Sequence, residues 1–470
     1  MKLSFREYLI FAFIAFVIVW LNRHHFFFWD TVQLTSMHAH WFYDQNFATF
    51  YLPQKYDSGH PPFWGLYHAG LWKLFGKSLI TSHLAMWPFL FGSFVFAGKI
   101  GTSLAHHKYA GLFFGLFLLA DPVFLTQSTL VSPDIALVCF FLMALYGVLK
   151  KHQSTVNWAM VIGAIGLSLV SLRGMMTLAG LGLFVLLQFG FRKSLRKMLY
   201  FIPGILVGVG FLVIHSLHTK WIGYHEDSPW AKSFKLVDFT GFLRNIAILI
   251  WRMLDVGRLF ILLLLGFIWF RSKRLWKKEF AGTWTKAFLA LSTFLLPTFL
   301  FYNGLNGMRY LMPLFVVINL LFVQSIFLLY KQGYQRWVMV YFVAFFAFAM
   351  GNTWKYPNTI SVSWDTTMMH QPYYGLRKKM MTFIQQENIP ITQIATAFPN
   401  TASLELIDMN GVKERMVAIS DTSSKYILTS NIYNDFKNYQ HAFESKGKLV
   451  QHFQDGAIWI KLYQLTSTAK

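Results

Sequence analysis

Apolar stretches of membrane-crossing length recur along the first three-quarters of this chain, near residues 8–22, 83–100, 109–127, 134–149, 157–171, 174–190, 199–216, 246–270, 286–302, 310–330 and 337–353. Runs of about twenty such residues read as spanning helices, because only a helix satisfies its own backbone in hydrocarbon. Of 470 residues, 55% are hydrophobic and only 13% charged, about half the charge of a soluble chain. The first run is flanked by Lys2 and Arg6 and lacks a small-residue cleavage site, so it reads as a retained span rather than a removed leader. The expected fold is a polytopic α-helical membrane protein of about eleven helices.

Net charge is +22, but its location decides what it means. From residue 355 on there are 12 Lys+Arg and 9 Asp+Glu, whereas the membrane part holds 30 basic and 11 acidic residues. The basic excess belongs to membrane turns, which argues against nucleic acid. With the N-terminus cytoplasmic, the inner turns are "HHK" 106–108, "KKH" 150–152, "RKSLRK" 192–197, "RSKRLWKK" 271–278 and "KQGYQR" 331–336, every one basic. The loops 23–82 and 217–245 then face outward, as does the segment after residue 354. Nine of the eleven acids of the membrane part, Asp30, Asp44, Asp57, Asp121, Asp134, Glu226, Asp227, Asp238 and Asp255, fall on the outer side or within spans. Positive-inside bias hardly weighs acids, so this split points to a polar chamber at the outer surface.

Residues 62–76, "PFWGLYHAGLWKLFG", are too short and Trp-rich for a span and read as an interfacial helix started by Pro61 and Pro62. Residues 355–470 read as a small α/β domain. It has helices over 373–388 and 433–445, strands at "QIATAF", "RMVAIS" and "KYILTS", and a terminal hairpin turning at "DG". No catalytic pattern stands out in it, and packing or acceptor docking is its expected role. The lone Cys139 reads as a buried apolar group.

Asp30 follows the first span directly, after "FFFW". It either caps a helix begun at "DTVQLTSMHAHWF" or serves as a general base at the membrane surface. Asp134 opens a span in "SPDIALV", again as a cap or as a functional acid facing a cavity. Arg173 in "SLRGMM" and Arg309 in "GMRYLMP" stand at outer ends of spans. Two such forks beside an acidic chamber fit a held phosphate. Arg252, Asp255 and Arg258 repeat at i,i+3 and are expected to pair along one helix face, with phosphate binding by either Arg as the second reading.

The order of these features (acid after the first span, "HPP" before an "LWKLFG" helix, "SPD" at a span start, "LRG", and a late "RYLMP") resembles the polyprenyl-phosphate-sugar-dependent glycosyltransferases of the GT-C class. The nearest likeness is to the group of protein O-mannosyltransferases and lipid A aminoarabinose transferases. The resemblance spans nearly the whole membrane part, 1–354. It implies Asp30 as base, Asp134 orienting the acceptor or assisting the base, and His60 near the donor. Arg173 and Arg309, with Tyr310 beside the latter, would bind the lipid phosphate. Some relatives carry a metal-linked acid directly before this His. Here Gly59 occupies that place, and Asp57 or His225–Glu226–Asp227 are the alternatives, so a divalent metal stays open. The implied partners are a polyprenyl-phosphate-linked sugar, a lipid, glycan or protein acceptor, and membrane lipid, in a bacterial inner membrane with the C-terminal domain outside. A secondary transporter or a non-catalytic scaffold presenting the tail are the competing expectations. The first should show inverted repeats, and none is found; the second leaves the four charged residues without a shared task.

Overall fold

The computed structural model describes residues 2–465 apart from 151–155, 227, 229–230, 272–280, 332, 334–335, 355–363, 421–423 and 434–446. All eleven apolar segments are helical. Five helices are long and apolar enough to cross a membrane, Leu79–Ala105, Leu172–Phe189, Phe191–Thr219, Gly282–Phe301 and Met308–Lys331, or up to seven if each of two bent pairs makes one crossing. Phe5–Leu21, Pro133–Leu149, Trp158–Val170 and Trp337–Thr353 are shorter apolar helices. Met308–Lys331 is 89% buried and forms the hub, whereas Phe191–Thr219, only 22% buried, lies at the periphery. Close approach comes from small residues, as in other helix pairs without a hydrophobic drive between them. A Cβ at Gly166 would run into the Phe140 ring of the neighbouring helix.

Two expected spans are broken, which corrects the continuous helices read over 109–127 and 246–270. Ala110–Ala120 and Pro122–Ser128 meet at 82°, and Phe239–Leu254 and Arg258–Phe270 at 76°. Asp121 caps the first break by accepting from Val123 N at 3.0 Å. Val256 and Gly257, both with positive φ, make the second. The two breaks face each other. Asp121 accepts from Arg258 Nη2 at 2.9 Å and from Asn319 of the hub at 2.9 Å. Asp255 therefore does not share Arg258 along one helix face as expected. It ends the preceding helix, and its ion pair is with Arg252, at 3.6 Å.

The loop 23–82 carries its own helices, His38–Asp44 and Phe63–Phe75. The latter buries Trp64, His68 and Trp72 while its last residues, Leu74 and Phe75, stay exposed. The loop 217–245 lies along residues 301–304, with Asn303 N donating to Lys235 O at 2.9 Å.

The tail folds as the alternation of its short apolar runs predicts. The five strands are β1 (Ile394–Thr396), β2 (Val417–Ala418), β3 (Tyr426–Ser430), β4 (Gly447–Asp455) and β5 (Ile458–Leu465). They run in the order β2-β1-β3-β5-β4, parallel on one side of the sheet and ending in the expected hairpin. The helix Pro372–Gln386 covers the sheet; the helix expected over 433–445 lies almost wholly outside the described residues. The tail does not stand apart. Phe28 and Trp29 of the loop 23–82 share one core with Tyr373, Tyr374 and Ile460. Phe27 N donates to Ile407 O at 2.9 Å, and Lys77 pairs with Glu405 at 2.8 Å.

Candidate active site

Three helix N-termini and one loop turn bring the charged side chains together. Ser132 caps Pro133–Leu149 and also donates to Asp134 Oδ2 at 3.0 Å. Ser171 caps Leu172–Phe189 and places Arg173 in its first turn. Arg309 and Tyr310 sit in the short turn Met308–Leu311 that starts the hub helix. A guanidinium is disfavoured at the positive end of a helix dipole, so each Arg here needs a carboxylate partner. Asp30 begins the helical stretch after Trp29, whose φ of 50° is a left-handed value rare for an aromatic residue. Trp29 is held in that turn by the shared core with the tail.

Arg173 Nη1 donates to Asp134 Oδ1 at 2.7 Å. Arg309 is gripped at all three nitrogens. Nη2 meets Asp30, Nη1 lies 3.9 Å from Asp134, and Nε lies 3.2 Å from Asp365. Both guanidiniums lie against the Tyr310 ring, at 4.3 and 5.3 Å from its centre. Of the two readings of Asp30, the cap is set aside: its carboxylate goes to Arg309, while Thr31 accepts from Phe28 N. Asp134 likewise is not the cap of its helix.

Asp30, Arg173, Arg309, Tyr310 and Asp365 line a cavity of about 430 Å³, together with Ser58, His60 and the loop Gly304–Gly307; Asp134 does not line it but holds Arg173 at 2.7 Å. His60 Nδ1 is buried and has no hydrogen-bond partner among the described residues. Burial, with Arg173 and His38 adding to it, pushes the His60 pKa down to about 3. It is a neutral imidazole at physiological pH, able to donate or accept but adding no charge. Five of the six residues expected at the site, Asp30, His60, Arg173, Arg309 and Tyr310, thus line one cavity, and the sixth, Asp134, reaches it only through its contacts with Arg173 and Arg309.

Asp365 and Trp364 were not expected there. They come from the tail, where Asp365 is one acid among nine. A signal was present all the same. Trp29-Asp30-Thr31 recurs as Trp364-Asp365-Thr366, and both aspartates reach the same arginine.

A metal held by an acid at position 59 does not fit. Gly59 has φ +72°, and a Cβ there would overlap the Gly223 carbonyl. Asp57 is already engaged, accepting from Gly59 N at 2.8 Å and from His215 Nε2 at 2.9 Å. Asp227 lies outside the described residues, and among those described no cluster of three His, Cys, Asp or Glu is arranged to hold an ion.

No protein-family model and no curated protein matches the sequence. Solved structures do match. ArnT from Cupriavidus metallidurans bound to undecaprenyl phosphate aligns with a TM-score of 0.56 at 12% identity, over 97% of each chain. Its apo state gives 0.54 over the same coverage. The chain has a GT-C-like fold. The mycobacterial arabinofuranosyltransferase AftD also aligns, with a TM-score of 0.52 at 11% identity, over 100% of this chain and 40% of its own. The GT-C-like likeness extends through the tail as well as the helices, since 97% of the chain is covered.

Proposed function

We propose that this protein transfers a sugar from a polyprenyl-phosphate donor to an acceptor hydroxyl at the outer face of a bacterial inner membrane. The N-terminus would be cytoplasmic and the tail outside. What supports the reading is that Asp30, Arg173 and Arg309 line one cavity at the helix ends, with Asp134 set against both arginines, within a fold shared with ArnT bound to undecaprenyl phosphate.

In this mechanism the donor phosphate competes for Arg309 and Arg173, whose planar forks match its oxygens. Drawing Arg309 toward phosphate frees Asp30, which takes the acceptor's proton as the hydroxyl attacks the anomeric carbon from the far side. The configuration inverts in this single displacement. The leaving group departs as a phosphate anion, so fixed positive charge is the main aid and no general acid is needed. Asp134, anchored by Ser132 and Arg173, orients the acceptor. Neutral His60 offers a hydrogen bond to the donor.

The test compares lipids and envelope glycans by mass spectrometry in cells with the wild-type protein, with none, and with Asp30→Asn. A sugar-bearing species that needs the protein and is lost with Asp30→Asn, while the variant still folds and binds undecaprenyl phosphate, is the expected result. An unchanged product profile in the Asp30→Asn strain refutes the mechanism. It would return the scaffold or transporter to first place.

A further inference from the structure

Asp365 enters the ionic cluster from beyond the last apolar helix. Its carboxylate takes the Nε side of Arg309, while Asp30 and Asp134 face the two Nη nitrogens. Its backbone carbonyl accepts from Gln127 Nε2 at 2.8 Å, which ties the segment to the helix Pro122–Ser128. The cluster therefore holds three carboxylates against two guanidiniums, a formal charge of −1. Among the described residues, the charged groups that face Asp365 itself leave that sum unchanged, and Asp57, on the His60 side, is held by His215 at 2.9 Å. Arg252, which feels Asp365 electrostatically, is matched by Asp255 at 3.6 Å. His370, also beside Asp365, is buried and pushed down to about 4, hence neutral. His60 is neutral as well.

We propose that Asp365 makes the cluster selective for the charge state of the lipid phosphate, admitting a singly charged phosphodiester and weakening its hold on the doubly charged phosphomonoester left after transfer. The inference rests on the sugar-transfer reading above. In that reaction the acceptor oxygen bonds to the anomeric carbon, and the carbon–oxygen bond to phosphate breaks with its electron pair going to phosphate. The hydroxyl proton goes to Asp30. The donor phosphate carries one negative charge, and the released polyprenyl phosphate carries up to two, because a monoester has a second pKa near 6. Repulsion from Asp365 scales with ligand charge. The carboxylate thus opposes the product about twice as strongly as the donor, and so favours its release. Without Asp365 the cluster would be neutral, and Arg173 and Arg309 would grip the dianion.

Undecaprenyl phosphate titrated into the full-length protein in detergent tests this at pH 8 and pH 5. Asp365→Asn should tighten binding roughly tenfold at pH 8, the size expected for one unit charge several ångströms away in a partly wet site. The gain should shrink at pH 5, where the ligand is singly charged. Asp365→Glu, which keeps the charge, should bind as wild type, and Asp365→Ser replaces the Asn variant if that does not fold. A merely structural role for Asp365 predicts weaker binding on substitution. Weaker or unchanged binding, or an equal gain at both pH values, overturns the proposal. Arg309→Ala separates the two levels. If it binds undecaprenyl phosphate as wild type, the reading of the site itself fails. If it loses binding while Asp365→Asn gains none, only the selectivity proposal fails.

Discussion

Asp121→Asn should destabilise the membrane core without touching the cavity. Arg258 is fully buried and Asp121 nearly so, and their 2.9 Å contact joins the two broken helices. The substitution is close to a pure charge removal. Asparagine still caps the helix at Pro122, and the Asn319 amide, whose Oδ1 has no partner among the described residues, can turn to meet it. What remains is a buried guanidinium that has lost its hydrogen-bonded carboxylate, which costs about 3–5 kcal/mol. The pair is itself incompletely satisfied, since Arg258 Nε and Nη1 also lack hydrogen-bond partners among the described residues. Replacing both residues, Asp121→Asn with Arg258→Met, should therefore return stability to within ~1 kcal/mol of wild type or raise it. Unfolding in mixed micelles with increasing SDS, followed by tryptophan fluorescence, gives the four midpoints of the cycle. A coupling energy of about 3 kcal/mol is expected. An Asp121→Asn midpoint equal to wild type, or a double variant as unstable as the single one, refutes the view that opposite charges hold the breaks together.

Arg309→Ala should weaken undecaprenyl-phosphate binding by roughly 10- to 100-fold, the loss of one charge-assisted contact worth about 1.5–3 kcal/mol, measured by titration at fixed salt. Burial holds His38, His68 and His370 near a pKa of about 4, below the unfolded value near 6.5. The unfolded chain then binds more protons between those limits, so stability is full above pH 6.5 and falls as pH drops toward 4. Unfolding midpoints measured from pH 8 to 5 should decline by ~1.4 kcal/mol per histidine per unit below 6.5, and a flat profile contradicts the assignment. Gly59→Asp should not create a metal site. With φ +72° and the Gly223 carbonyl in the way, it should lower stability by more than about 1 kcal/mol and leave activity insensitive to added divalent ions.

The helices, the five residues that line the cavity and Asp134 beside them were legible for one physical reason. In a chain this apolar, each charge at a span end is conspicuous and expensive, so Asp30, Asp134, Arg173 and Arg309 stood out singly. The helix breaks at Asp121 and at Asp255–Gly257 did not, because hydrophobic length reports continuity of composition, not of backbone direction. The partner of Arg258 was misread for the same reason: i,i+3 spacing assumes a helix that in fact stops at Leu254. Asp365 was hidden by its surroundings. In a polar tail an acid carries no surprise, and only its repeated neighbours, tryptophan before and threonine after, marked it.

The aromatic core shared by Phe28, Trp29, Tyr373 and Tyr374 has a consequence for biogenesis. Synthesis runs from the amino terminus, so Asp30 is laid down near the start, long before the segment bearing Trp364 and Asp365 is made. Until the final quarter of the polypeptide has been made and folded, Trp29 lacks the packing that keeps its turn, and the Trp364–Asp365 wall of the cavity is missing. A half-made chain accordingly has an unfinished cavity, whose walls meet only when the last strand closes the sheet.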